Sequence, residues 1–221
     1  MERQSLGSQE PDTAFTPRDL LDLFIRPARF FAVRAGQLGG PALKLVAWAV
    51  GMNYAFGRIE RQMVRADLGR ESGTASIVSG SWPKFWGLAV VAGLLSAVAA
   101  WYIGAWWYRV RLRWSGDVNP PVDRARTVYL YAGLIWAVPN IIWNLSDTVR
   151  FPDFAAAWAD ESAWDLLLLL FPIWSVWASY RGVRAVFAVK PGRARFWFLI
   201  LPIVALLFSF GIIAALYARM G

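Results

Sequence analysis

Residues 85–108 read FWGLAVVAGLLSAVAAWYIGAWWY, from Phe85 to Tyr108, without one charged side chain. A helix needs about 20 apolar residues to cross a hydrocarbon core about 30 Å thick, and this stretch supplies them. Arg109, Arg111 and Arg113 follow at once, and Trp82, Trp86, Trp106, Trp107 and Tyr108 stand at its two ends. Aromatic rings at both margins, with arginines just beyond one of them, form the pattern of a membrane-crossing helix.

Working outward, four more apolar segments emerge: about 42–56, 128–145, 164–187 and 196–218. The first is short and carries Lys44, whose stem can reach the surface. Over the whole chain 57% of residues are hydrophobic and 17% charged, where a soluble domain carries about 25% charge. The fold class expected is all-α: an integral membrane bundle of five transmembrane helices with an N-terminal amphipathic interfacial helix. No signal peptide is expected, because the first long apolar stretch begins only near Pro41.

Ahead of the bundle, residues 1–15 are polar and aperiodic, the composition of a disordered tail. Thr16-Pro17-Arg18-Asp19 then opens a helix over 16–35, with Thr16 as cap, Pro17 at the first position and Asp19 closing a capping box. Arg18, Asp19, Asp22, Arg26 and Arg29 share one side, and Leu20, Leu21, Phe24, Ala28 and Phe31 another. The helix should bend or break near Pro27. A basic face beside Phe and Leu suits the membrane interface; packing on the end of the bundle is the alternative.

Charge sets the expected orientation. One loop holds Arg109, Arg111, Arg113, Arg124 and Arg126, and another Arg181, Arg184, Lys190, Arg193 and Arg195. The loop between them holds Arg150 against Asp147, Asp153, Asp160 and Glu161. The positive-inside rule puts the two basic loops in the cytoplasm, the N-terminus with them, and the C-terminus outside. Arg58, Arg61, Arg65, Arg70 and Lys84 disagree, since they fall on the outer side. Ile59, Met63 and Ala66 recur at helical spacing there and extend the first span. Asp67 to Lys84 reads as a Gly/Ser-rich loop.

The chain has no His and no Cys. The commonest general base, the commonest metal ligand and every thiol are therefore missing, and no metal, cofactor or catalytic residue is expected. The net charge of +8 belongs to segment ends and anionic head groups rather than to nucleic acid. Along the third span, Asn140, Asn144 and Asp147 share a side with Gly133 and Trp136. Asp165, Ser175 and Ser179 line the fourth. Polar groups at membrane depth face the bundle interior, either as bonds between helices or as a ligand path on the outer half. Pro139 should kink the third span and free a carbonyl that a nearby Asn satisfies. Gly93, Ala97, Ala100 and Gly104 form a small-residue stripe for close helix packing, within one chain or between two. Arg109, Arg111, Arg113, Arg124 and Arg126 are candidates for anionic lipid or for an acidic cytoplasmic partner.

The segment Ile25-Arg26-Pro27-Ala28-Arg29-Phe30-Phe31 precedes five closely spaced spans, and the basic turn from Trp114 to Arg126 leads into a span bearing Tyr131 and Pro139. In these features the chain resembles the Yip family, five-span membrane proteins first known as partners of Rab-type GTPases, from about Thr16 onward. The resemblance implies a cytoplasmic N-terminus and an outward C-terminus. For eukaryotic members it implies vesicle traffic, GTPase binding and a Golgi or ER address; for bacterial members it implies little. The polar stretch 58–84 departs from the tight connection usual in the family. Arg far outnumbers Lys and the tail is short, which points to a bacterial chain in the inner membrane. The function expected is non-enzymatic: organising membrane or scaffolding a partner through lipid and helix contacts. The alternative is an ion, solute or lipid transporter acting as a homo-oligomer.

Overall fold

The computed structural model describes residues 16–69, 73–160 and 165–217; the tail 1–15 and the outermost residues of the fourth and fifth spans lie outside them. The described residues form helices and no strand. The chain opens with the capping box: the Asp19 N–H donates to Thr16 Oγ1 at 3.3 Å and the Thr16 N–H to Asp19 Oδ2 at 2.9 Å. Pro27 then divides the first helix into α1 (Pro17–Ile25) and α2 (Pro27–Arg34), because proline cannot donate to the carbonyl four residues back.

α1 and α2 fold against each other through an ion pair of Asp19 with Arg34 at 2.7 Å. Burial works against the Asp19 charge, but the Thr16 amide and hydroxyl and the Arg34 guanidinium outweigh it and hold the carboxyl below its ordinary value. Leu23, Phe30 and Phe31 are buried, whereas Leu21 and Ile25 are each 59% exposed. Of the Leu20, Leu21, Phe24, Ala28 and Phe31 stripe, Phe31 is buried and Leu20 and Phe24 pack against the core, while Leu21 faces out.

Three long rods follow, then two more. α3 (Gly40–Asp67) starts beside Thr127, whose hydroxyl donates to the Leu38 carbonyl at 3.3 Å. α5 (Trp82–Ala99) continues through a π-helical turn (Ala100–Gly104) into α6 (Ala105–Trp114). α7 (Val122–Arg150) runs unbroken through Pro139. α10 (Leu170–Val186) returns, preceded by the short α9 (Asp165–Leu168). α11 (Pro191–Arg195), a second π-helical turn (Phe196–Ile200) and α12 (Leu201–Tyr217) close the chain. Three of its helices are long and apolar enough to cross a membrane: Trp82–Trp114, Val122–Arg150 and Pro191–Ile212. α3 has the length, 28 residues, but Lys44, Arg58, Glu60, Arg61 and Arg65 dilute its hydropathy. Side chains that water would reject face outward on the rods: Leu95 is 70% exposed and Phe208 69%.

The stretch after α3 is not a loop throughout. Gly69 takes φ 70° to end the helix, and α4 (Gly73–Ser79) then buries Ala75 and Val78. They join Phe56, Trp82, Phe85 and Phe154 in an aromatic cluster that includes α8 (Phe154–Trp158). The Gly and Ser residues mark real helix ends; the partner that makes α4 worth forming lies far along the chain. At the other end, Gly116 (φ 110°) turns the chain after α6. The Lys190 N–H donates to the Ser115 carbonyl at 2.8 Å and the Ala188 N–H to Asp117 Oδ2 at 3.3 Å. These bonds bring the two basic loops together.

Candidate functional site

Between α3, α6, α7, α10 and the α11–α12 rod lies a cavity of about 370 Å³. It occupies the half of the bundle nearer the basic loops. Two hydroxyl pairs border it: Tyr54 with Tyr129 at 2.9 Å, and Tyr108 with Ser179 at 3.0 Å. Ser175 Oγ donates to the Ala132 carbonyl at 2.8 Å and so spans α10 and α7. Asn53, Gly133 and Trp136 complete the polar wall, while Val50, Val176, Phe198, Pro202 and Leu206 supply the apolar one. Arg111 is the one charged residue lining the cavity among the described residues.

Arg111 parts company with the other arginines of its loop because of helix register. Residues 108, 111, 112 and 115 share the inward side of α6, whereas Arg113 faces out. Its guanidinium carbon lies 5.2 Å from the Tyr108 ring centre and 4.7 Å from that of Phe198. Nη1 donates to the Trp197 carbonyl at 3.4 Å, and Nε is buried without a partner. Arg109 Nε donates to the Pro120 carbonyl at 3.1 Å. Arg126 lies over the Trp101 ring at 4.5 Å and pairs with Asp123 at 3.0 Å. Arg124 and Arg113 are exposed.

The polar stripe divides. Ser175 and Ser179 line the cavity, as do Gly133 and Trp136. Asn140 and Asn144 lie beyond it toward the opposite end and are occupied by bonds. Asn140 Nδ2 donates to Asn53 Oδ1 at 2.9 Å, and Asn144 Nδ2 to the Asn140 carbonyl at 2.9 Å. The Asn144 amide thus serves Asn140 rather than the carbonyl four residues before Pro139. Asp147 pairs with Arg150 at 3.4 Å, near the chain's turn into α8. Asp165 opens α9, and its side chain lies outside the described residues.

The small stripe is used inside the chain. A Cβ on Gly51 would stand 2.6 Å from the Ala97 nitrogen and against the Gly93 carbonyl. Ala100 is buried in the main core, and a Cβ on Gly104 would stand 2.6 Å from Tyr129 Cε1. Gly93 and Ala97 meet α3, and Gly104 meets α7, of the same chain.

Asn53, Tyr54, Tyr108, Tyr129 and Phe198 join the site without having been singled out for it. Tyr108 reads as an interfacial ring from its place at a span end. The available signal was Tyr108 followed by Arg111 one turn on, and a lone asparagine inside an apolar helix at Asn53. Among the described residues no group of three or more His, Cys, Asp or Glu could hold a metal.

Apolar rods of membrane-crossing length define an α-helical integral membrane protein. The Yip1 domain model matches residues 21–213. The chain belongs to the Yip1 domain family. Searches of curated proteins and of solved structures each returned no match.

Proposed function

We propose that this is a non-enzymatic membrane-organising protein: a five-pass bundle that gathers anionic lipid against one basic end. All five passes cross the bilayer in this reading. At about 1.5 Å per residue, α3 is long enough to do so, and its charged second half continues past the hydrocarbon edge. The basic end then faces the cytoplasm, and the C-terminus the outside. The observation that carries the reading is the ring of exposed cations joined by the Ser115–Lys190 bond. Arg113, Arg124, Arg181, Arg184, Arg193 and Arg195 are all exposed at this end, beside the apolar rods. Each such charge near an anionic surface contributes about 1 kcal/mol. The same face suits an acidic cytoplasmic protein. The source is read as bacterial and the membrane as the inner one.

The test is lipid enrichment. In phosphatidylcholine bilayers holding a minor fraction of labelled phosphatidylglycerol, energy transfer from the protein's tryptophans should exceed random mixing. Replacing Arg113, Arg124, Arg193 and Arg195 by Gln together should return it to the random level. Equal transfer before and after that change sinks the reading. The cavity favours a second reading, a carrier for a small polar solute or lipid that works as an oligomer. Solute flux through reconstituted vesicles above that of protein-free vesicles, reduced by Ser175→Ala at the cavity wall, would favour it.

A further inference from the structure

The cavity holds a cation and hydrogen-bond donors but no carboxylate. A guanidinium withdrawn from water needs compensation. Two aromatic rings and one carbonyl at 3.4 Å surround Arg111. Cation–π contacts contribute less than the effective penalty for burying an ion. The Nε proton points at no acceptor. Each hydroxyl pair, Tyr54 with Tyr129 and Tyr108 with Ser179, spends one proton on its mutual bond and keeps one to donate. Donors therefore converge on the cavity from α3, α6, α7 and α10, and the one formal charge among them is positive.

We propose that this cavity binds a phosphate-type oxyanion, with Arg111 as its charge partner and the two hydroxyl pairs as flanking donors. Phosphate takes donors on several sides at once, and arginine matches it through a fork of N–H groups. Arg111 lies one helical turn past Tyr108, where the uncharged stretch of the rod ends; in the five-pass reading above that is the level of lipid phosphates. Val176, Phe198, Pro202 and Leu206 form the wall along which an acyl chain would lie. The oxyanion is carried either by an anionic lipid or by free phosphate. The proposal deepens the lipid reading above and rests on it only for the source of the ligand. The site is a single internal one, distinct from the surface ring of arginines.

The full chain is purified in neutral detergent and its thermal unfolding followed during titration. The titrants are phosphatidylglycerol, diacylglycerol with the same chains, and inorganic phosphate. Phosphatidylglycerol should raise Tm saturably and diacylglycerol should not. A rise with inorganic phosphate as well assigns the free ion as sufficient; no rise with it assigns the lipid head group. Arg111→Gln should weaken the response about tenfold, the loss expected for one hydrogen bond to a charged group. Arg113→Gln, which changes a surface charge on the same helix, should respond as the unmodified chain does. If Arg111→Gln does not fold, Ser179→Leu decides: it places a branched apolar side chain in the cavity, keeps Arg111, and should abolish the response. The proposal is overturned by an equal response to diacylglycerol, by no saturable response, by an unchanged Arg111→Gln or Ser179→Leu, or by equal loss in Arg113→Gln. A surface-arginine variant that loses lipid enrichment but keeps the saturable response separates the internal site from the ring.

Discussion

Asn140 on α7 donates its side-chain amide to Asn53 on α3 across 2.9 Å, and both side chains are buried. This bond joins two rods that no loop connects directly. Asn144 adds a donor to Asn140 Oδ1 at 3.2 Å, so three amides form one chain of bonds. Removing one member leaves another buried group without its partner.

Asn140→Ala should therefore destabilise the bundle by about 1 kcal/mol, the scale of a polar bond between membrane helices. Asn53→Ala should cost a similar amount. The double variant should cost less than the sum, because the shared bond is lost only once. Reversible unfolding in mixed micelles measures this. Strict additivity would show that the two amides do not act together.

Gly51 tests the contact between α3 and α5. A Cβ there meets backbone, at 2.6 Å from the Ala97 nitrogen, and backbone cannot move aside without separating the rods. Gly51→Ala should destabilise by about 1–3 kcal/mol, as overpacking does. Gly87→Ala, on the same α5 rod, meets nothing within 4 Å. It should be neutral or stabilising by up to about 1 kcal/mol. Equal melting temperatures for the two variants would remove the close approach of α3 and α5.

The Asp19–Arg34 pair gives the docking of α1 on α2 an acid limb. The Asp19 carboxyl is held below its ordinary value of 3.8 in the folded chain. A lowered folded value means that the pair's contribution is complete above 3.8 and is lost as pH falls from there through the folded value. Amide exchange in residues 17–34 should accelerate across that acid window and stay flat above it. Asp19→Asn should exchange faster at neutral pH and lose the acid step. An acid step that survives in Asp19→Asn would belong to other carboxyls.

Ser76 is exposed on α4, at the end of the bundle opposite the basic loops. In sealed inverted and right-side-out vesicles, a cysteine replacing Ser76 should react with an impermeant thiol reagent from the outer face. Since the chain has no other cysteine, the signal is unambiguous. Reaction from the cytoplasmic face alone would reverse the orientation or remove the crossing by α3.

Much of the architecture was legible because burial in lipid leaves a linear record. Uncharged stretches such as 85–108, rings at their ends and arginines beyond them report the membrane without reference to any partner. Local chemistry was legible too: Thr16 and Asp19 form their capping box, and the helix breaks at Pro27. α4 was not legible, because Ala75 and Val78 gain their burial from Phe85 and Phe154, and composition alone marks the region as a break. Of the site, Ser175 and Ser179 could be read from their shared stripe. Tyr54, Tyr108 and Tyr129 could not, since a tyrosine at a span end reads equally well as an anchor.

What the chain alone determined is its solvent, its helical class and the clustering of its cations, all set by composition and spacing along one dimension. Tertiary structure decided which groups converge. The approach of α3, α6, α7 and α10 turns Arg111 inward among hydroxyls and sends Arg113 out to solvent. Neighbouring arginines two residues apart point to opposite sides of a helix, and only the placement of the other rods says which side is the interior.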